Sequence, residues 1–191
     1  MSRLVERHYT IEDYFAIEES STTKHEYFGG EIFAMAGASV RHNRIAGNVY
    51  AALRASLRGS DCEAFGSDLR VRTPGGLYTY PDVLVVCGGI QLSGERLETV
   101  TNPVLIVEVL SASTKDYDRG QKFELYKTIA SLREYLLIEQ DVLLVERHFR
   151  ANDDAPNAWQ RRHYDAPAAQ IELYALGITL SLAEIYERVG L

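Results

Sequence analysis

The sequence predicts a single α/β domain, one mixed sheet with helices on its faces. Three observations carry this. The middle of the chain reads helix, strand, strand, strand, helix, strand, an order that layers helices on a sheet. Residues 104–110, Val-Leu-Ile-Val-Glu-Val-Leu, form a short apolar run bounded by Pro103 and Ser111, the pattern of a buried strand. The length of 191 residues, with 46% hydrophobic and 25% charged side chains, suits one domain with a full core.

Each element has its own signal. Thr10-Ile11-Glu12-Asp13 has the form of a capping box and opens a helix through about residue 18. Residues 24–36 read as a hairpin turning at Gly29-Gly30. Ser39 caps a longer helix ending near Gly59, in which Ile45, Val49, Leu53 and Leu57 recur every four residues as a core-facing stripe. His42 extends that stripe toward the helix start. Two strands, residues 63–72 and 78–86, flank a Thr73-Pro74-Gly75-Gly76 turn. Alternation in the second puts Tyr80, Asp82, Leu84 and Val86 on one face. After a polar loop over residues 88–102, the central strand presents Val104, Ile106, Glu108 and Leu110 on one face. A helix over 116–130 follows, with Phe123, Tyr126 and Ala130 on one side. Strands at 134–139 and 142–149 flank a turn at Gln140-Asp141, and residues 152–158 form a loop. Strand-like runs at 159–164 and 170–176 precede a helix starting at Ser181. The N-terminal hairpin and the C-terminal β extension are expected to widen the main sheet.

Composition excludes several classes. No stretch is long and apolar enough to span a bilayer, and the N-terminus lacks the apolar core of a signal peptide. Cys62 and Cys87 lie in separate strand-like runs without CxxC spacing, so neither a disulfide nor a zinc site is expected. A reducing cytoplasm fits best. The net charge of −7 argues against a protein that coats nucleic acid through a broad basic surface, and leaves room for a local basic cleft around an acidic centre. There is no Walker loop, GxGxxG or GxSxG, so Ser111, Ser113 and Thr114 read as helix-capping residues rather than nucleophiles.

Glu108 is the residue that demands an explanation. An ionised carboxylate inside an apolar strand costs several kcal/mol unless a cation, a metal or donors compensate it. Asp82 follows Pro81 and opens the apolar run Val-Leu-Val-Val, so two acids on neighbouring strands face one point. Two carboxylates, the backbone carbonyl of Val109 and retained waters would suit a hard divalent cation such as Mg2+, which neutralises a phosphate and acidifies an attacking water. Lys122, about one turn into its helix, reaches the same point and can stabilise charge on phosphoryl oxygens. The competing reading pairs Glu108 with Lys122 or Arg119 as a structural ion pair. His42 reads as a metal ligand, a base or a packing histidine; Glu31 and Glu26 read as site acids or as solvated hairpin residues. Tyr78, Tyr80, Tyr117 and Tyr126 stand ready to stack on bases or to fill the core.

With Asp82, Glu108 and Lys122 in view, the chain resembles the PD-(D/E)XK nuclease superfamily and, within it, the Uma-two family of bacterial endonucleases. The resemblance rests on HEYFGGEIFAMAGASVRHNRIAGNVYAAL, YPDVLVV, PVLIVEVLSAST and YDRGQKFELYKTIASLREYLLI, which cover most of residues 24–138. It implies a restriction-endonuclease-like core over about residues 39–150 in a single domain of residues 1–191. It further implies Asp82 and Glu108 as metal-binding acids, Lys122 as catalytic lysine, His42 and Glu31 in the outer shell, Mg2+ or Mn2+ as cofactor, and DNA as the expected nucleic-acid substrate. One feature departs from the superfamily: its usual lysine stands two places after the second acid, where this chain has Leu110, and Lys122 on the next helix is the substitute. The alternatives are a nuclease fold that binds nucleic acid or a protein partner without catalysis, and a structural protein holding a Glu108–Lys122 ion pair. Exposed strand edges suggest a homodimer.

Overall fold

A computed structural model of the protein describes residues 8–95, 97–150 and 158–191. Helix α1 (Ile11–Ser20) starts at the expected Thr10–Asp13 capping box. The hairpin β1 (His25–Phe28) and β2 (Glu31–Ala34) turns at Gly29 and Gly30, whose φ values of 60° and 89° suit a two-residue hairpin turn. Ser39 caps α2 (Val40–Ser56), which buries Ile45, Val49 and Leu53 as the periodicity requires. Four short strands follow: β3 (Cys62–Gly66), β4 (Val71–Arg72), β5 (Tyr78–Thr79) and β6 (Val83–Cys87). Then come β7 (Pro103–Leu110), α3 (Lys115–Arg119), α4 (Gln121–Tyr126), β8 (Glu134–Glu139), β9 (Val145–Arg150) and β10 (Trp159–Tyr164). A hairpin of β11 (Gln170–Leu173) and β12 (Ile178–Ser181) and the short helix α5 (Leu182–Ile185) complete the described chain.

The main sheet is mixed, as expected, with order β10-β9-β8-β7-β6-β3; β7 and β8 are parallel and the other pairs antiparallel. Both faces of β7 are covered, which is why it reads as an almost unbroken apolar run. Leu105, Val107 and Val109 join the α2 stripe and the β11–β12 hairpin in one apolar cluster. Ile106 and Leu110 join Phe123, Tyr126 and Tyr135 in another on the opposite face. Glu108 therefore projects into the second layer, beneath α4.

The structure departs from the sequence expectations in four places. First, the two strands expected at 63–72 and 78–86 each break in two, the second at Tyr80-Pro81-Asp82, where proline has no N–H to give a ladder. The inner halves, β4 and β5, join the N-terminal hairpin in a separate sheet of order β2-β1-β5-β4. The hairpin thus does not widen the main sheet; of the C-terminal strands, β10 does, while β11 and β12 pair with each other. Second, the helix expected over 116–130 breaks at Gly120 and ends at Tyr126. Third, Cys62 and Cys87 stand opposite one another in the β3–β6 register and are joined as a disulfide, correcting the expectation of unpaired cysteines. The pairing follows from strand register, which spacing alone does not reveal. Fourth, the strand expected from residue 142 starts only at Val145, and the run expected to reach 176 ends at Leu173. Of the loop expected at 152–158, all but the last residue lies outside the described residues. Among the described residues, no helix is long and apolar enough to cross a membrane.

The break at Gly120 is tight. A Cβ there would lie 2.9 Å from the Asp116 carbonyl oxygen, a backbone atom that cannot swing away. Gly120→Ala is expected to destabilise the protein by about 1–3 kcal/mol, read as a lower urea midpoint at unchanged m-value.

Candidate active site

Asp82 sits where the β6–β7 ladder stops. The last paired residues at that end are Val83 and Val107, and the next inward amide of β7, that of Val109, donates instead to Asp82 Oδ2 at 2.7 Å. The carboxylate thus extends the ladder by one bond and is fixed against the central strand. His42, in the first turn of α2, brings Nε2 to 3.2 Å from the same oxygen. Its Nδ1 is buried and has no hydrogen-bond partner among the described residues.

On the far face of β7 the Glu108 carboxylate meets Lys122. Lys122 Nζ lies 2.9 Å from Glu108 Oε1, and the Tyr126 hydroxyl donates to that oxygen at 2.8 Å. The same ammonium is 3.0 Å from Glu26 Oε1 on β1 and 3.4 Å from Asp118 Oδ1, one helical turn earlier. Glu108, Lys122 and Asp118 are each 5% exposed or less, and Glu26 is 9% exposed. Glu26 Oε1 also accepts a hydrogen bond from Thr79.

Burial and charge set the protonation states. Burial pushes the Glu108 carboxyl up from its ordinary 4.5 to about 8; Lys122 opposes that rise, while Asp118 and Asp82 add to it. Burial likewise raises Asp118, against the pull of Lys122 and of a Thr114 hydrogen bond. For Lys122 burial works downward, but Glu108, Tyr126, Glu26 and Asp118 outweigh it, so the ammonium holds its proton well above the usual range. Burial lowers His42 too; the hydrogen bond and charge of Asp82, with the Val109 backbone, more than offset it and leave the imidazole raised.

Of the residues singled out from the sequence, the structure joins Asp82, His42 and Val109 in one group, and Glu108 with Lys122 in the next. Glu31 stays exposed at the start of β2, and no contact connects it to either group among the described residues. Glu26, weighed as the lesser hairpin acid, is the one the hairpin delivers. Asp118 is the site residue that the sequence reading lacks, although it stands four positions from Lys122, the spacing of one helix face; Tyr126, expected to stack on bases or fill the core, is buried and donates to Glu108. Arg119 pairs with Glu139 and not with Glu108. The Ser111 hydroxyl accepts the Thr114 amide and meets the hydroxyls of Ser113 and Thr114, as helix-entry residues do. Tyr78 and Tyr80 are engaged by Glu95 and Glu18.

The donor set fits a hard divalent cation. Asp82 and Glu108 offer carboxylate oxygens, and the orphaned His42 Nδ1 marks a buried polar position beside Asp82 that lacks a partner. Among the described residues no three His, Cys, Asp or Glu side chains stand close enough to hold a metal together. One or two carboxylates completed by water and substrate oxygens is the usual ligation of Mg2+.

The sign of the Glu108 shift gives a stability prediction. The folded protein binds this proton more tightly than the unfolded chain, so unfolding releases it, and stability falls as pH rises from about 4.5 through about 8. In EDTA, Glu108→Gln should flatten that decline. The test compares urea midpoints of both proteins at about pH 5 and about pH 8.5; equal pH dependence would mean that Glu108 is not raised.

Comparison with known proteins agrees with this architecture. A crystal structure from Anabaena variabilis, described as "a putative nuclease belonging to DUF820", superposes with a TM-score of 0.70 at 17% identity, covering 88% of this chain and 93% of that one. At that identity the likeness establishes the fold. Two uncharacterized proteins of Synechocystis sp. (strain ATCC 27184 / PCC 6803 / Kazusa) are similar in sequence. One is 37% identical over 176 residues, 92% of this chain and 90% of its own length; the other is 40% identical over 145 residues, 75% and 82%. The sequence model of the Uma2 family, described as "Putative restriction endonuclease", matches residues 11–183. With nearly the whole chain matched, the protein belongs to the Uma2 family.

Proposed function

We propose that the protein is a metal-dependent nuclease that hydrolyses phosphodiester bonds in nucleic acid, with DNA as its substrate and Mg2+ or Mn2+ as its cofactor. The observation that carries this reading is an excess of acid over two adjoining groups. Glu26, Glu108 and Asp118 surround Lys122, and Asp82 faces His42. Four carboxylates against two cationic groups is a costly arrangement that protons or a bound cation must relieve. Membership of a family described as "Putative restriction endonuclease" points the same way.

A divalent cation, when bound, supplies charge neutralisation at a phosphate and a more acidic water. The chain's own residues do the rest. Asp82, held by the Val109 amide, and Glu108 offer the carboxylate oxygens. Lys122 stays protonated and presents positive charge to the phosphoryl oxygens as charge grows there. His42 holds a proton at Nε2 against Asp82 and fixes that carboxylate's orientation. A cytoplasmic setting follows from the substrate rather than from the cysteines. Homodimerisation belongs to the same proposal: among the described residues β2 is an edge strand with Phe33 exposed, whereas the edge strand β10 is blunted by Arg161, Arg162 and His163.

A second reading, a nuclease fold that binds nucleic acid or a protein without cutting, is favoured by one observation: three carboxylates already take up the Lys122 ammonium. The two readings separate on metal and cleavage. Calorimetric titration of MgCl2 or MnCl2 should show binding to the wild type that Glu108→Ala abolishes. Asp82→Asn with Glu108→Gln should lower divalent-dependent DNA cleavage by about 100-fold or more while circular dichroism stays native. Cleavage that survives the double substitution overturns the nuclease reading, and binding of nucleic acid indifferent to EDTA with no cleavage in any divalent metal supports the second.

A further inference from the structure

We infer that Glu26, carried by the N-terminal hairpin, is the positioning residue that fixes Lys122 for catalysis. The inference rests on the nuclease reading and adds a role for an element outside the main sheet. An ammonium group has three N–H donors and no acceptor. In the structure three acids surround it at ion-pair distance: Glu108 at 2.9 Å, Glu26 at 3.0 Å and Asp118 at 3.4 Å. For Lys122 to touch a phosphoryl oxygen, one of these must let go. Glu108 is the one with a second employment, since it offers its oxygens to the cation. Lys122 is then left with Glu26 and Asp118, and its third donor faces the substrate.

The two remaining acids are not equivalent. Asp118 stands on α3, across the Gly120 break from Lys122, and at 3.4 Å is the most distant of the three acids. Glu26 comes from the second sheet and is itself held by Thr79 on β5. Thr79 stands three residues before Asp82, so one short segment sets the first acid and, through Glu26, the lysine. Glu26 is buried, and Tyr27 beside it is locked into the Tyr14–Tyr78 aromatic cluster. The hairpin is thereby a rigid arm, and its end product is the position of a single Nζ atom.

The sequence contains four lysines, so the ammonium resonances of the full-length, 15N-lysine-labelled protein can be assigned with Lys122→Arg. Wild type should show one slowly exchanging ammonium signal, that of Lys122. Glu26→Met, which keeps the volume, and Glu26→Ala should both abolish it. Thr79→Val, which removes the hydrogen bond that holds Glu26, should weaken the signal. In divalent-dependent DNA cleavage, Glu26→Met should lower kcat by between about 10- and 100-fold with KM within about twofold, and Thr79→Val should lower it by a smaller factor. A signal that persists in Glu26→Met, or a kcat that Glu26→Met leaves unchanged, overturns the inference. A wild-type protein that cuts no nucleic acid overturns the nuclease reading instead, and the ammonium signal still decides whether Glu26 positions Lys122.

Discussion

The buried ammonium of Lys122 is the point at which the separate parts of this molecule meet. Its partners come from the central strand, from the helical crossover and from the N-terminal hairpin: Glu108, Asp118 and Glu26. The arrangement is not an efficient source of stability. Desolvating several charges costs more than well-packed apolar side chains of the same volume would, and apolar replacement of such clusters is often stabilising. The surroundings could accept that replacement, since Ile106, Leu110, Phe123 and Tyr135 already make an apolar layer on the same face. A cluster that is costly to bury, acid-rich, and placed at the end of a sheet has the character of a working site.

Two local irregularities build it. Pro81 ends the pairing of β5 and β6 as one strand and frees Asp82 from the ladder, so its carboxylate can take the Val109 amide. Gly120 breaks the crossover helix with φ and ψ near −104° and −105°, a conformation in which its missing side chain leaves room for the Asp116 carbonyl. Each breaks a local rule, and each lies within four residues of a charged group of the site. Natural sequences concentrate such violations where function requires them.

What could be read from the chain follows the range over which each signal acts. The α2 stripe, the Thr10–Asp13 capping box, the helix start at Ser181 and β8 over residues 134–139 depend on neighbours a few positions away, and the structure reproduces them. Glu108 was legible because its conflict is local, one acid in an apolar run. Glu26 stood among the candidates but could not be preferred to Glu31, because in β1 both Glu26 and Tyr27 are buried and the alternation that marks an inward face is missing. Its partner lies almost a hundred residues later, and nothing in the hairpin announces it. Glu31 looked equivalent on the same grounds and proves to be exposed. The Cys62–Cys87 pair and the division of two long strands between two sheets failed for the same reason: both depend on register, which is settled by tertiary packing.

Under the nuclease reading the placement of Lys122 ceases to be an anomaly. In the superfamily that the sequence resembles, the lysine follows the second acid by two positions and so points from the same strand face. Here that position is Leu110, on the face of Glu108 and 1% exposed. It belongs to the apolar cluster that includes Phe123, the residue next to Lys122. Leucine at 110 therefore helps to seat the helix that carries the cation. The charge arrives from above the face instead of along it, and reaches the same carboxylate at 2.9 Å. A lysine supplied from the strand would need no further support, because the ladder fixes its backbone. One supplied from a six-residue helix entered through a broken turn does need support, and an acid reaching in from a second sheet is the means the fold provides.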